Sequence, residues 1–311
     1  MPKRRLAQHA RPVADLVVCT LLGAVTVAAA GPATAGGADP GADAFLAATL
    51  SGHNEVPVDG GPATADPDGR GHVVLRLRGD RICFALDWRR IDAPTMGHVH
   101  SGAVRATGKV QVGLFTGTLP GSLDAVTGCV AADADTVTDL VAHPGGHYVN
   151  LHTAAYPGGA IRGQLRKTGP ADLLGRLRGP LMALMDGGQE IPPAGDGTGT
   201  AFVDPHGDRI AFAATWSGIT APTRGHIHAG PVGEPGPVAV PLFEAPAGLP
   251  ASITGVAGSV PVDGALATRI GDRPAEYYLN LHAAGFATGA LRGQLMRPDH
   301  RAEVDGGQSA S

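Results

Sequence analysis

Six histidines stand at three matched places in this chain. Gly97-His98-Val99-His100 recurs as Gly225-His226-Ile227-His228. Tyr148-Val149-Asn150-Leu151-His152 recurs as Tyr278-Leu279-Asn280-Leu281-His282. The chain has 13 histidines, and the other seven have no mate in register. Two imidazoles two residues apart on a strand share one face. A third from another strand would complete a three-nitrogen set of the kind that suits copper or zinc. His98, His100 and His152 are therefore candidate ligands, and so are His226, His228 and His282. The same residues admit a plainer reading. An imidazole can donate from one nitrogen and accept at the other, cross-linking strands without any metal. Asn150 and Asn280 share a face with His152 and His282 and are candidate partners for them.

Two further charges are repeated in the strongest blocks. Glu55 is matched by Glu190, and Arg162 by Arg292. An ion pair between them would tie the first strand of each copy to the last and would be costly to break once buried. Gln164 and Gln294 lie on the same strand face as the arginines. Nucleophilic catalysis finds no repeated support, because Ala229 stands where Ser101 would recur and Asp186 where Ser51 would. The His-x-His strand is similar to the copper-ligand strand of copper–zinc superoxide dismutase. That enzyme needs more ligands, and neither a fourth paired histidine nor a paired aspartate is present, so redox catalysis is the weaker expectation. Arg78-Gly79-Asp80 matches an integrin-read tripeptide, but its mate is His206-Gly207-Asp208. Gly and Asp are kept there as turn formers.

These side chains need elements to hold them. Val73, Leu75 and Leu77 alternate with Val74 and Arg76. Ile82, Phe84, Leu86 and Trp88 alternate with Cys83, Ala85 and Asp87. That period of two predicts a hairpin with its turn at Arg78–Arg81. Further strands are predicted at His98–Ser101, Val110–Phe115, Ala125–Ala131, His147–Thr153 and Ala160–Arg166. A short helix is predicted at Thr136–Ala142, with Thr136 as N-cap, and its mate near Asp263–Ile270.

The chain has 311 residues, with Gly 47, Pro 26 and only 4% aromatics. Such composition suits many short strands joined by turns. A net charge of −4 gives no reason to expect a nucleic-acid partner. Lys3, Arg4 and Arg5 precede an apolar run from Leu16 to Ala30 and an A-x-A motif at Ala33-Thr34-Ala35. This predicts a signal peptide over 1–35, with Ala28-Ala29-Ala30 as the alternative cleavage motif. The run is too short and too rich in alanine to favour a membrane span. Export would then leave Cys83 and Cys129, both in the first copy, facing Ala211 and Ser259 in the second. A pair present together or absent together predicts a disulfide.

The matched blocks keep their order, with offsets of 128, 130 and 130. A repeat of that length is two domains. The opening Leu50-Ser51-Gly52-His53-Asn54-Glu55-Val56-Pro57, the Gly-His-x-His centre, the Tyr-x-Asn-x-His strand and the closing Gly159-Ala160-Ile161-Arg162-Gly163-Gln164-Leu165 resemble the CHRD domain, a module named after chordin. The second copy departs at its opening, where Gly188-Gln189 replaces His53-Asn54. The resemblance implies extracellular binding rather than an activity. The expected architecture is all-β: two tandem Greek-key antiparallel β-sandwiches, each of about seven strands and at most one short helix. Expected bounds are 43–167 and 180–297, with a linker at 168–179 and a polar, disordered tail at 298–311. The expected function is a secreted, non-catalytic binding or structural protein with an extracellular or cell-surface ligand. The alternative is a copper- or zinc-binding or redox protein.

Overall fold

The computed structural model describes residues 43–57, 65–170 and 179–298. The expected signal peptide, most of the expected linker and nearly all of the expected tail lie outside them.

The first copy contains strands β1 (Ala44–Ser51), β2 (Arg70–Arg78), β3 (Arg81–Arg89), β4 (Pro94–Ser101), β5 (Val110–Thr116), β6 (Leu123–Ala131), β7 (His147–Thr153), β8 (Ile161–Gln164) and β9 (Arg166–Lys167). The second contains β10 (Leu181–Asp186), β11 (Thr198–His206), β12 (Arg209–Ser217), β13 (Pro222–Ala229), β14 (Val238–Glu244), β15 (Ile253–Pro261), β16 (Tyr277–Ala283) and β17 (Phe286–Gln294). One α-helix follows the sixth strand of each copy: α1 (Ala134–Ala142) and α2 (Gly264–Asp272).

Every ladder is antiparallel. In the first copy the pairing runs β6-β3-β2-β1, then through β8 and β9 to β7-β4-β5. In the second it runs β15-β12-β11-β10-β17-β16-β13-β14. Non-sequential neighbours such as β3 with β6 and β4 with β7 give the Greek-key character. The alternation of β2 and β3 is what buries one face. Val73, Leu75, Ile82 and Phe84 are fully covered while their strand neighbours are half exposed. Complete burial of a side chain of this size stabilises by about 1.5–3 kcal/mol. Leu50, Val99, Leu151 and Ile161 from the other strands close the same core.

Three local expectations are corrected. The closing strand is broken into β8 and β9 at Leu165, whose side chain turns into the core. Thr136 is not the cap of α1. Asp133 is, because its carboxylate accepts from the Asp135 and Thr136 amides and offers the stronger acceptor at a helix N-terminus. Glu55 is not on the first strand, which ends at Ser51 and passes through a 3-10 turn over Gly52–Asn54.

The expected disulfide is formed. Cys83 and Cys129 stand directly opposite each other in the β3–β6 register, with Cα atoms 3.9 Å apart. Ala211 and Ser259 occupy the same facing positions in the β12–β15 register.

The two copies share one ladder. β6 of the first pairs with β15 of the second. The bonds that fasten it are reciprocal: Cys129 N donates to Ser252 O at 3.0 Å, and Ser259 N donates to Ser122 O at 3.0 Å. Two glycines permit this approach. A Cβ on Gly128 would lie 2.0 Å from Ser252 O, and one on Gly258 would lie 2.1 Å from Ser122 O. Two edge strands that would otherwise expose unpaired backbone thus cover each other. Among the described residues no helix is long and apolar enough to cross a membrane.

Candidate functional site

β4 and β7 carry the histidines of the first copy on the outer face of their sheet. Gly97 and Val99 point the other way, into the core. His98 faces Asn150, and His100 faces Tyr148, in the β4–β7 register. The structure brings His98, His100 and His152 together, with one nitrogen of each within 4.8 Å of the others. His226, His228 and His282 meet in the same way.

Hydrogen bonds fix the tautomers. His100 Nδ1 lies 3.0 Å from Gly108 O, and His152 Nδ1 lies 2.9 Å from Pro157 O. A carbonyl only accepts, so both Nδ1 atoms carry hydrogen, and both Nε2 atoms of the neutral rings keep a bare lone pair. The second copy repeats this with His228 Nδ1 at 2.9 Å from Gly236 O and His282 Nδ1 at 2.9 Å from Ala287 O. His226 goes further. Its Nε2 lies 3.1 Å from a Glu244 carboxylate oxygen, which also only accepts. His226 Nδ1 faces His282 Nε2 at 3.3 Å, and His98 Nδ1 faces His152 Nε2 at the same distance. The Nε2 atoms of His100 and His228 are buried and have no hydrogen-bond partner.

A repeated glycine makes the carbonyl contacts possible. Gly108 and Gly236 press so closely on β4 and β13 that a Cβ would lie 1.8 Å from Ser101 O or 1.7 Å from Ala229 O. That approach sets each loop carbonyl beside its imidazole.

Electrostatics favour the neutral ring at His98, His100, His152, His228 and His282. Burial pushes His98 down to about 4, with repulsion from His152 and His100 adding to it. Burial likewise pushes His282 down to about 4, with Arg224, His226 and His228 adding to it. His100, His152 and His228 are also lowered, mainly by burial. Neutral rings retain the lone pairs that a metal needs.

An aromatic and an arginine hold the second histidine. His100 stacks on Tyr148 with ring centres 4.8 Å apart, and the Arg162 guanidinium lies 3.3 Å from the centre of the same ring. Arg162 Nη2 donates to Ala106 O at 2.6 Å and Ala103 O at 3.3 Å. His228, Tyr278 and Arg292 repeat the stack at 4.8 and 3.5 Å. Gln164 Nε2 lies 2.8 Å from the carbonyls of Gly102, Gly145 and His147, which pins the same loop to the strand.

The expected ion pairs are not formed. The guanidinium of Arg162 is used on loop carbonyls, and that of Arg292 on Pro231 O and Glu234 O. Glu55 Oε1 is buried without a partner, and Glu190 Oε1 accepts instead from Asn280 Nδ2 at 2.6 Å. Burial raises both carboxyls to about 7, against the through-space pull of the arginines. The asparagines do not bond His152 or His282 either, since backbone carbonyls hold those rings.

Tyr148 and Tyr278 are site residues that the motif reading passed over, although both head the repeated block and stand four residues before the third histidine. Glu244 left no signal, because Thr116 takes its place in the first copy.

Comparison with curated proteins gives no match. A family model described as the CHRD domain matches residues 46–165 and again residues 181–295. These two stretches include both histidine clusters and both tyrosine–arginine stacks. The chain belongs to the CHRD domain family, with two copies of the domain in tandem.

Proposed function

We propose that this chain is an exported, non-catalytic protein that holds a copper or zinc ion at two three-histidine sites, one in each CHRD domain. The observation that carries this reading is the convergence of three imidazoles in each domain, with one nitrogen of each within 4.8 Å of the others. In the second site, carbonyl acceptors hold the Nδ1 hydrogens of His228 and His282, which leaves their Nε2 lone pairs for a metal. Burial disfavours a proton there, with His282 at about 4. The 3.3 Å between facing nitrogens also fits the edge of a tetrahedron with metal–nitrogen bonds of about 2.0 Å. The Nδ1–H to carbonyl contacts, and the Glu244 contact, are the outer-shell bonds that orient metal-binding imidazoles.

Three protein ligands leave a coordination position open. Binding rather than turnover is the reading, because no serine or cysteine nucleophile recurs beside the histidines in both domains. The apolar leader and the Cys83–Cys129 disulfide support export. Equilibrium dialysis of metal-free mature protein against Zn²⁺ or Cu²⁺, followed by metal analysis, tests the reading. Two ions per chain are expected. No retained ion would contradict it.

A further inference from the structure

The loop between β4 and β5 holds an arginine where its twin in the second domain holds a glycine. Ala106 N donates to Ala103 O at 3.0 Å, and Glu234 N donates to Pro231 O at 3.3 Å, so each loop closes a tight turn. The third residue of that turn has positive φ in both domains, Arg105 at 65° and Gly233 at 80°. Such turns favour glycine there, because a Cβ crowds the backbone at positive φ. Arg105 therefore sits in a strained conformation that the second domain avoids. Packing does not require a side chain at this place. A Cβ on Gly233 would meet nothing within 4 Å. The Arg105 side chain makes no hydrogen bond or ion pair among the described residues.

Arg105 does line a cleft. The space between its loop and the turn that follows β1 is about 540 Å³, within the range of small-molecule sites. Val56, Pro57 and Val104 give the cleft apolar walls, and Glu55, Arg105 and Arg162 give it charge. Arg162 is only 3% exposed, and its Nη2 is committed to loop carbonyls. Glu55 Oε1 is buried without a partner, whereas Glu190 Oε1 is satisfied by Asn280. The first domain thus joins a guanidinium held in a glycine position to a carboxyl that the protein leaves unsatisfied. The second domain has neither feature.

This chemistry points to one class of ligand. Two guanidinium groups against one carboxyl favour an anion, and the planar fork of arginine suits a carboxylate. Burial holds Glu55 at about 7, so both of its forms are populated at neutral pH. A hydroxyl suits either form, since it donates to a carboxylate and accepts from a carboxylic acid. The apolar walls suit the C–H face of a saturated ring. We propose that the cleft of the first domain binds an acidic sugar. Its carboxylate lies on Arg105, its hydroxyls turn to Glu55, and its ring packs on Val56 and Pro57. No metal is required, so this site and the histidine clusters stand or fall separately.

The test is an NMR titration of the metal-free, full mature chain with D-glucuronate, and with D-glucose as the sugar lacking the carboxylate. Saturable shifts are expected for amides in 53–57 and 103–108, and none for their counterparts in 188–192 and 231–236. D-glucose should bind about tenfold or more weakly, as should D-glucuronate to Arg105→Gly, because each change removes a charge-assisted contact. Arg105→Gly installs the residue of the second domain and relieves the strained turn, so its melting temperature should equal or exceed that of the wild type. Loss of binding without loss of stability is the signature of a ligand contact. Equal binding of the two sugars, wild-type affinity in Arg105→Gly, or no saturable shift in the first domain would overturn the proposal.

Discussion

His226 Nδ1 and His282 Nε2 face each other at 3.3 Å while the far nitrogen of each ring is already engaged by an acceptor, Glu244 for one and Ala287 O for the other. The same facing pair, His98 and His152, occurs in the first domain without the glutamate.

Arg162 is predicted to act on the first site through Tyr148 and the Ala103–Gly108 stretch. It stacks on the ring that stacks on His100, and it ties down the loop that supplies Gly108 O. Arg162→Met should cost about 2–4 kcal/mol in urea unfolding, from charge-assisted bonds lost to buried carbonyls. It should also weaken metal at the first site by about 10–100-fold and leave the second unchanged. Arg162→Lys should not rescue it, because an ammonium cannot make the planar stack. Equal metal affinity in Arg162→Met would separate the stack from the site.

The pH dependence of the metal-free protein should contain two opposing trends. Glu55 and Glu190 sit at about 7, above the usual 4.5, so the stability they contribute is present at low pH and lost as pH rises through 7. His98 and His282 sit at about 4, below the usual 6.5, so their contribution is present above 6.5 and lost as pH falls through 4. Between these values the trends partly cancel. Glu55→Gln with Glu190→Gln should raise the melting temperature at pH 8 and steepen the fall from pH 6.5 to 4. Melting curves across that range check the signs, and a double variant less stable at pH 8 would contradict the first.

The β6–β15 ladder predicts that the domains melt as one unit. Gly128→Ala with Gly258→Ala drives a methyl into Ser252 O and Ser122 O and should unfasten the ladder. Calorimetry should then resolve two transitions where the wild type has one. A single unshifted transition in the variant would show that the ladder does not couple the domains.

The disulfide should be complete in exported protein, so denatured, unreduced chain should have no free thiol at Cys83 or Cys129. The two are separated by 46 in sequence, and loop-entropy scaling gives a loss of about 3–4 kcal/mol on removing the bridge. Two free thiols, or a Cys83→Ala with Cys129→Ala variant as stable as the wild type, would count against it.

Much of this was legible in the sequence because the chain supplies its own comparison. Period-two burial in Val73–Leu77 and Ile82–Trp88 dictated the hairpin, and three repeated histidines located the clusters. The ion pairs were misread for a physical reason. Repetition shows that Glu55 and Arg162 matter in both copies, but not which neighbour each satisfies. The loop carbonyls that take the arginine are backbone atoms with no sequence signature. The carbonyls that fix the histidine tautomers are hidden in the same way. The β6–β15 pairing was also out of reach, since Gly128 and Gly258 read as ordinary strand breakers until the partner strand is in view.

The central claim is that each histidine cluster is a cation site. Isothermal titration of metal-free mature protein with Zn²⁺ at pH 7.5 addresses it most directly, run on the wild type, His100→Ala and His228→Ala. Two ions per chain in the wild type and one in each variant are predicted. The remaining site should keep its wild-type affinity, because the variants act on separate domains. No binding by the wild type, with both variants merely less stable, would contradict the claim and leave the histidines as strand cross-links.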